Sequence, residues 1–291
     1  MIPHSFGTHD GTFHADEVTA CALLLLFKLI DRSKIIRTRD EKKLKNCEYV
    51  CDVGGIYNPV GKRFDHHQAD YDGSLSSAGM VLKYLRDEGV IDEKVYDFFN
   101  RSLIIGIDDH DNGRVHLQIG HCSFSNVVSN FTPIKHDASD EENDRAFFVA
   151  LDFVLGHLSR LYDRYQYIQK CREKVAERMQ KDLQYLFFDE GMPWLESFFE
   201  LGGEDHPALF VIMPSGTHWK LRAIPPTYED RMGVRCPLPK SWAGKSDKEL
   251  KQVSGIEGAI FCHKGRFISV WETKEDALKA LAYAIEHRES T

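Results

Sequence analysis

The chain is 291 residues long, with 42% hydrophobic and 28% charged residues, which suits one large domain or two ordinary ones and excludes a disordered chain. Its longest apolar run, residues 20–27, is far short of the ~20 residues a membrane-spanning helix needs, so no membrane partner is expected. A formal net charge of −8 disfavours wrapping a long polyanion, while leaving room for a local basic groove that holds a short one.

In chain order, Ile2–Thr8 reads as a first strand and residues 17–30 as a strongly apolar, buried helix with Asp16 placed to cap it. Residues 34–38 and 49–53 read as the next two strands. A turn through Gly54-Gly55 and Asn58-Pro59 leads to a short strand ending at Phe64. Ser77–Asp87 and residues 93–105 have the period of amphipathic helices. This alternation predicts an α/β domain, a parallel sheet flanked by helices. Residues 143–187 read as a two-helix connector. Gly191, Pro193 and Gly202-Gly203 then mark a change of texture. Strands follow at 209–213, 219–224, Ala259–Cys262 and 267–271, and a capping box from Thr273 to Asp276 opens a last helix running to about His287. The expected division is therefore a first domain with its connector, 1–188, and a smaller α+β domain, 189–291.

The seven cysteines are scattered and form no C-x-x-C pair; Cys47 and Cys51 are the one close pair and read as small buried residues. Reduced thiols and the lack of a basic, then apolar, leader in residues 1–8 fit a cytoplasmic protein.

Among 14 histidines an isolated one means little. The informative feature is their clustering with acids at expected strand or helix ends, where open α/β sheets build their sites. His9, Asp10, His14 and Asp16 follow the first strand. Asp52 closes Tyr49-Val50-Cys51, Asp65-His66-His67-Gln68 follows Phe64, and Asp108-Asp109-His110-Asp111 follows Leu103-Ile104-Ile105. One aspartate after a strand is most often a turn former, and one histidine most often a core or surface residue. All these ends carrying metal-competent groups by accident is a far weaker reading. Imidazoles and carboxylates without cysteines suit Mn2+ or Mg2+ better than structural zinc. The donors exceed what one ion needs, so two ions roughly 3.5–4 Å apart are expected, the arrangement that activates water and stabilises a leaving oxygen at phosphorus.

On the substrate side, the helix opening at Ser76 and Ser77 offers backbone N–H groups and hydroxyls to an anion, although an ordinary N-cap looks the same. Arg222, Arg231, Arg235, His263, Lys264 and Arg266 could grip phosphates, and Trp219 could stack on a base. Solvated surface charges and a core aromatic are the competing readings.

The run Asp65-His66-His67, with an aspartate after a strand before it and another after an apolar helix beyond it, resembles the DHH phosphoesterase superfamily. The match is closer to its melanocyte-proliferating-gene (MYG) family of metal-dependent hydrolases. It is carried by GTHDGTFHADE (7–17), CDVGGIYNP (51–59), RFDHHQ (63–68), LSSAG (75–79), IDDHDNG (107–113), LFVIMPSGTHWKLRAIP (209–225), GIEGAIFCHKGRF (255–267) and TKEDAL (273–278), so it runs from end to end. The resemblance implies a DHH-type fold and a divalent-metal-dependent phosphoester hydrolase, a 3′–5′ exonuclease or oligonucleotide hydrolase acting on RNA or DNA ends, with its site between the domains. His14 and Asp16 look like metal ligands, with His9 a third, and Asp52 like the carboxylate bridging two ions. His66 looks like a ligand, His67 like a catalytic group near the scissile phosphate, and Asp65 like the group orienting a histidine. Asp108 looks like the last ligand, with Asp111 the competing choice, and His263 like the substrate-side histidine. Asp10 stands where family members usually carry asparagine, which leaves His9 and Asp10 as alternatives. Asp109 and His110 are more polar than that motif's usual filling. The rival readings are a small phosphoester or pyrophosphate hydrolase and a non-catalytic metal-binding interaction module.

Overall fold

The computed structural model describes residues 1–288 apart from 117, 136 and 182. It divides into two compact units, Met1–Asp163 and Arg164–Thr291.

The first unit opens with β1 (Ile2–Thr8), α1 (Ala15–Leu26), β2 (Ile35–Arg37), α2 (Glu41–Asn46), β3 (Cys47–Cys51), β4 (Tyr57–Asn58) and β5 (Arg63–Phe64). The sheet order is β2-β1-β3-β5-β4. All pairings are parallel except β4 against β5. Strands covered on both faces must be apolar throughout, and Tyr49, Val50 and Cys51 of β3 are all buried. Helix α1 is buried from Ala15 to Leu24, and Lys28, at φ 59°, turns the chain out of it. It begins at Ala15, so His14 and not Asp16 is its N-cap; this corrects the expected capping role of Asp16.

Helix α3 (Ser77–Asp87) forms over the expected residues. Helix α4 (Glu93–Phe99) does not stop near 105. A π-helical stretch, Asn100–Ile104, leads it into α5 (Ile105–Asp111). The acidic cluster at 108–111 therefore lies on a helix whose facing has been shifted by the π turn. After α6 (Phe124–Ser129), a single helix, α7 (Asp140–Met179), stands where two connector helices are expected. Phe147, Leu151, Val154 and Leu158 form its buried stripe in the first unit, and Cys171 and Val175 in the second. The division falls inside this helix, after Asp163, where the sequence reading has it near 188.

The second unit continues through β6 (Tyr185–Phe187), α8 (Leu195–Glu200), β7 (Phe210–Ser215), β8 (His218–Ala223), α9 (Asp247–Ser254), β9 (Ala259–Cys262), β10 (Ile268–Trp271) and α10 (Lys274–Glu286). Its sheet runs β6-β7-β8-β10-β9, with β6 parallel to β7 and the other pairs antiparallel. Strand alternation sends Leu221 and Ala223 into a core with Trp242 and Trp271, while Lys220 and Arg222 of the same strand face the other way. Thr273 caps α10 as expected, its hydroxyl accepting the Asp276 N–H at 3.1 Å. Among the described residues no helix is long and apolar enough to cross a membrane.

Candidate metal centre

The carboxyl ends of β1, β3 and β5, the start of α1 and the end of α5 bring the acids and histidines together. Asp52 follows β3 with φ 55°, a left-handed backbone that aspartate tolerates better than most residues and that turns its side chain away from the strand direction. Its carboxylate is 3.2 Å from His9 Nε2, 3.5 Å from His66 Nε2 and 3.3 Å from His67 Nδ1. His9 Nε2 also lies 3.2 Å from Glu17, and His66 Nε2 lies 3.0 Å from Asp111. Asp65 accepts the backbone N–H of His67 at 3.1 Å and faces its Nδ1 at 2.8 Å. Its other oxygen accepts Gly55 N–H at 2.6 Å. It therefore orients His67, whose side chain is 63% exposed while that of Asp65 is 3% exposed.

Three overlapping donor sets result: His14, Asp16, Glu17 and Asp52; Asp52, His66 and His67; and Asp16, His66 and Asp111. Within each set the candidate ligand atoms all lie within 4.8 Å of one another. Asp16 Oδ1, Asp52 Oδ1 and His66 Nε2 are fully buried yet make no hydrogen bond of good geometry. Buried polar atoms almost always make a hydrogen bond, so three that lack one of good geometry and converge on one region fit a divalent cation. Oxygen and imidazole donors suit Mn2+ or Mg2+.

Electrostatics separates these groups. Burial works against a charged His9, but the Asp52 and Glu17 carboxylates outweigh it and raise its pKa to about 10. His66 behaves likewise, with Asp111 and Asp52 overcoming burial to give about 10. Burial pushes Asp52 up, and the adjacent His66 and His9 more than reverse this, to about 2. Asp16 is driven well above the usual carboxylate range, first by complete burial and then by the charges of Asp52, Glu17 and Asp111.

Asp108 lies outside the three donor sets. It caps α3, its Oδ1 accepting Ser76 N–H at 3.0 Å, Ser76 Oγ–H at 2.6 Å and Gly79 N–H at 3.1 Å. Burial raises it to about 6 against those donors. The geometry thus brings Asp111, rather than Asp108, to the converging donors. Ser76 and Ser77 are fully buried, and the Ser77 hydroxyl donates to Phe64 O at 2.9 Å while its N–H reaches Asp16 at 3.3 Å. Both hydroxyls are committed inside the protein. Asp10 points at Arg39, 3.3 Å away, while His9 joins the cluster. Glu17, which sequence reasoning passed over as a ligand, belongs to a donor set and also accepts His14 N–H at 2.9 Å. Its signal is its place in the first turn of α1, one helical turn from the N-cap.

A cavity of about 200 Å³ adjoins the donors, lined on their side by His14, Asp16 and Asp111. In the second unit, Arg222 sits on β8 with its guanidinium 5.9 Å from the Phe267 ring centre, and its Nε is buried without an acceptor. His263 and Arg266 lie on the β9–β10 turn, where His263 Nδ1 accepts Gly265 N–H at 3.0 Å. Arg266 reaches Leu238 O at 3.4 Å. Arg235 is occupied otherwise than expected, donating to the carbonyls of Gly203, His206 and Pro225. Trp219 stacks on Phe187 at 5.8 Å, and Arg231 lies over Tyr228 at 4.4 Å.

Residues 5–285 match the model of the family described as MYG1_exonuc, uncharacterised protein family UPF0160. A MYG1 protein of Chlamydia pneumoniae is 51% identical over 288 residues, covering 99% of both chains. The MYG1 exonuclease of Mus musculus is 31% identical over 330 aligned positions, 99% of this chain and 86% of that one. The MYG1 exonuclease of Homo sapiens is 30% identical, across 99% and 87% of the two chains. RecJ of Thermus thermophilus, solved with Mn2+, aligns at 11% identity and a TM-score of 0.28, over 97% of this chain and 52% of its own, too weak a likeness to relate the folds. With both the family model and curated relatives matching over nearly its whole length, this chain belongs to the MYG1 family.

Proposed function

We propose that the chain is a divalent-metal-dependent phosphodiester hydrolase of DHH type, holding two Mn2+ or Mg2+ ions and acting as a 3′–5′ exonuclease or oligonucleotide hydrolase in the cytoplasm. The observation that carries this reading is the sharing of donors: Asp52, Asp16 and His66 each belong to two of the three donor sets. Overlapping sets are what two neighbouring ions need, and single-ion sites do not require them. His9, His14, Asp16, Glu17, Asp52, His66 and Asp111 would hold the metals, with Asp52 between them. Bound there, the ions would lower the pKa of water and neutralise charge developing at phosphorus. His67, oriented by Asp65 and exposed to solvent, is the group that would contact the phosphate and hand a proton to the departing oxygen. Asp108, with its three donors, would fix the start of α3 and so the N–H that holds Asp16. The names of the mouse and human relatives, MYG1 exonuclease, support a nucleic-acid end as substrate. Arg222, His263 and Arg266 would supply contacts to its phosphates.

The test measures release of nucleotides from 5′- and 3′-labelled oligonucleotides and hydrolysis of bis(p-nitrophenyl) phosphate, after chelation and on adding back Mn2+, Mg2+ or Zn2+. The reading expects activity to vanish with chelator, to return best with Mn2+, and to be lost in Asp52→Asn. Full activity of Asp52→Asn, with Mn2+ saturating at the same concentration, contradicts it.

A further inference from the structure

The cavity beside the donors has a second wall that the metal reading leaves unused. Helix α5 turns Ile107, His110 and Asp111 toward it, the i, i+3, i+4 spacing of one helical face. From α6, Ser125 and Ser129 reach it, again one helical turn apart. Asp111 thus belongs to the donors, while His110, one residue back on the same helical face, lines the same cavity without belonging to any donor set. Ser125 is only 6% exposed, and no hydrogen bond to its hydroxyl is found among the described residues. Ser129 donates to Asn126 O at 2.8 Å, which leaves its lone pairs open. The lining therefore combines two chemistries, the carboxylates and imidazole of the donor sets and, outside those sets, two hydroxyls and the exposed His110 imidazole.

We propose that His110 and Ser125 form the non-metal wall of a phosphate subsite, binding the phosphoryl oxygens turned away from the metals. The inference rests on the metal-dependent phosphodiesterase reading and deepens it by assigning recognition to residues outside the donor sets. A phosphate that meets cations on one side needs neutral or positive hydrogen-bond donors on the other, because further carboxylates would repel it. Ser125 O–H and the His110 ring N–H are such donors. The volume restricts what accompanies the phosphate. About 200 Å³ falls below the ~300–1,000 Å³ of pockets that enclose a whole drug-sized ligand. The subsite takes a phosphate with its adjoining sugar, and the base stays outside.

The experiment uses the full chain loaded with Mn2+ and inorganic phosphate as the probe, reading phosphate affinity from paramagnetic broadening of its phosphorus resonance and manganese affinity from the free-ion electron spin resonance signal. Ser125→Ala and His110→Gln are each expected to weaken phosphate binding by about tenfold or more, since a hydrogen bond to a charged group contributes that much. Manganese affinity is expected to stay within twofold. Ser125→Thr, which keeps the hydroxyl, is expected to recover most of the phosphate affinity. His110 is exposed, so its variant folds even where a change at buried Ser125 does not. Unchanged phosphate affinity in His110→Gln overturns the proposal, as does loss of manganese in step with phosphate. A wild-type protein that binds phosphate here but hydrolyses no phosphoester removes the catalytic reading and leaves the subsite standing. One that hydrolyses esters with both variants at wild-type KM does the reverse.

Discussion

Gly79 and Asp108 meet so closely that a β-carbon at position 79 would stand 2.2 Å from Asp108 Oδ2 and 2.8 Å from its Cγ. The same carboxylate accepts the Gly79 N–H, so the glycine is required for approach. Alanine in a helix normally gains about 1 kcal/mol over glycine. Gly79→Ala is expected to lose about 2–4 kcal/mol instead, because displacing Asp108 leaves a buried carboxylate and three donors badly paired. Urea unfolding measures this, and a more stable variant would show that Asp108 moves aside freely.

The two central aspartates should respond oppositely to neutralisation in the metal-free protein. Asp52 is held near pKa 2 by His66 and His9 against burial. A depressed carboxylate adds stability that is present above its unfolded value and lost as pH falls through the folded one. Asp52→Asn should therefore cost about 2 kcal/mol at pH 7, following roughly 1.4 kcal/mol per unit. Asp16 is raised by burial and by Asp52, Glu17 and Asp111, so its ionised form is a burden to the metal-free fold at neutral pH. Asp16→Asn should raise the melting temperature in chelator while abolishing manganese binding. Parallel shifts in the two variants would count against the charge arrangement described.

Elements with strong local signals form where the sequence puts them. β1 and α3 match residue for residue, and Thr273 caps the last helix, since apolar periodicity and capping are local physics. Helix α2 escaped because its run Glu-Lys-Lys-Leu-Lys-Asn has one apolar residue, Leu44, and gains its burial only from tertiary packing. The π stretch at Asn100–Ile104 is unreadable from Asn-Arg-Ser-Leu-Ile, which suits an ordinary α-helix equally well. That miss hides the facing of α5 and hence the difference between Asp108 and Asp111, which is decided by the nearby start of α3. The histidines and acids of the centre were legible because their types are chemical; Glu17 was not, because a first-turn glutamate is also what an ordinary helix start contains.

Metal loading should release protons. His9 and His66 are held at about 10 in the metal-free protein, so both are charged at pH 7, and a ligating imidazole must be neutral. Calorimetry in two buffers of different ionisation enthalpy should show at least two protons leaving per loaded centre at pH 7, with any proton held by the raised Asp16 adding to them. Apparent manganese affinity should climb as pH rises toward 10. The stability of the metal-free protein should move the other way. Raised histidines contribute fully below their unfolded value of about 6.5 and lose that contribution as pH rises through 10. Manganese binding without proton release would mean that neither imidazole is a ligand.

Lys220 and Arg222 point from the same face of β8, and no carboxylate pairs with either among the described residues. Burial and the neighbouring Arg222 charge lower the Lys220 pKa, and burial and Arg231 lower that of Arg222. Two half-buried cations side by side are unfavourable alone and become favourable when an anion joins them. Arg222 Nε, buried and without an acceptor, is one donor such an anion would satisfy. If phosphates of a strand bind here, Arg222→Gln should weaken oligonucleotide binding and flatten its salt dependence by about 0.7 in slope for each phosphate no longer neutralised, the value for single strands. Lys220→Gln should act in the same direction. Neither change should alter hydrolysis of bis(p-nitrophenyl) phosphate, which has no second phosphate to offer. Equal losses on the oligonucleotide and the small ester, with the salt slope unchanged, would separate this face from substrate binding and favour a hydrolase of small phosphoesters.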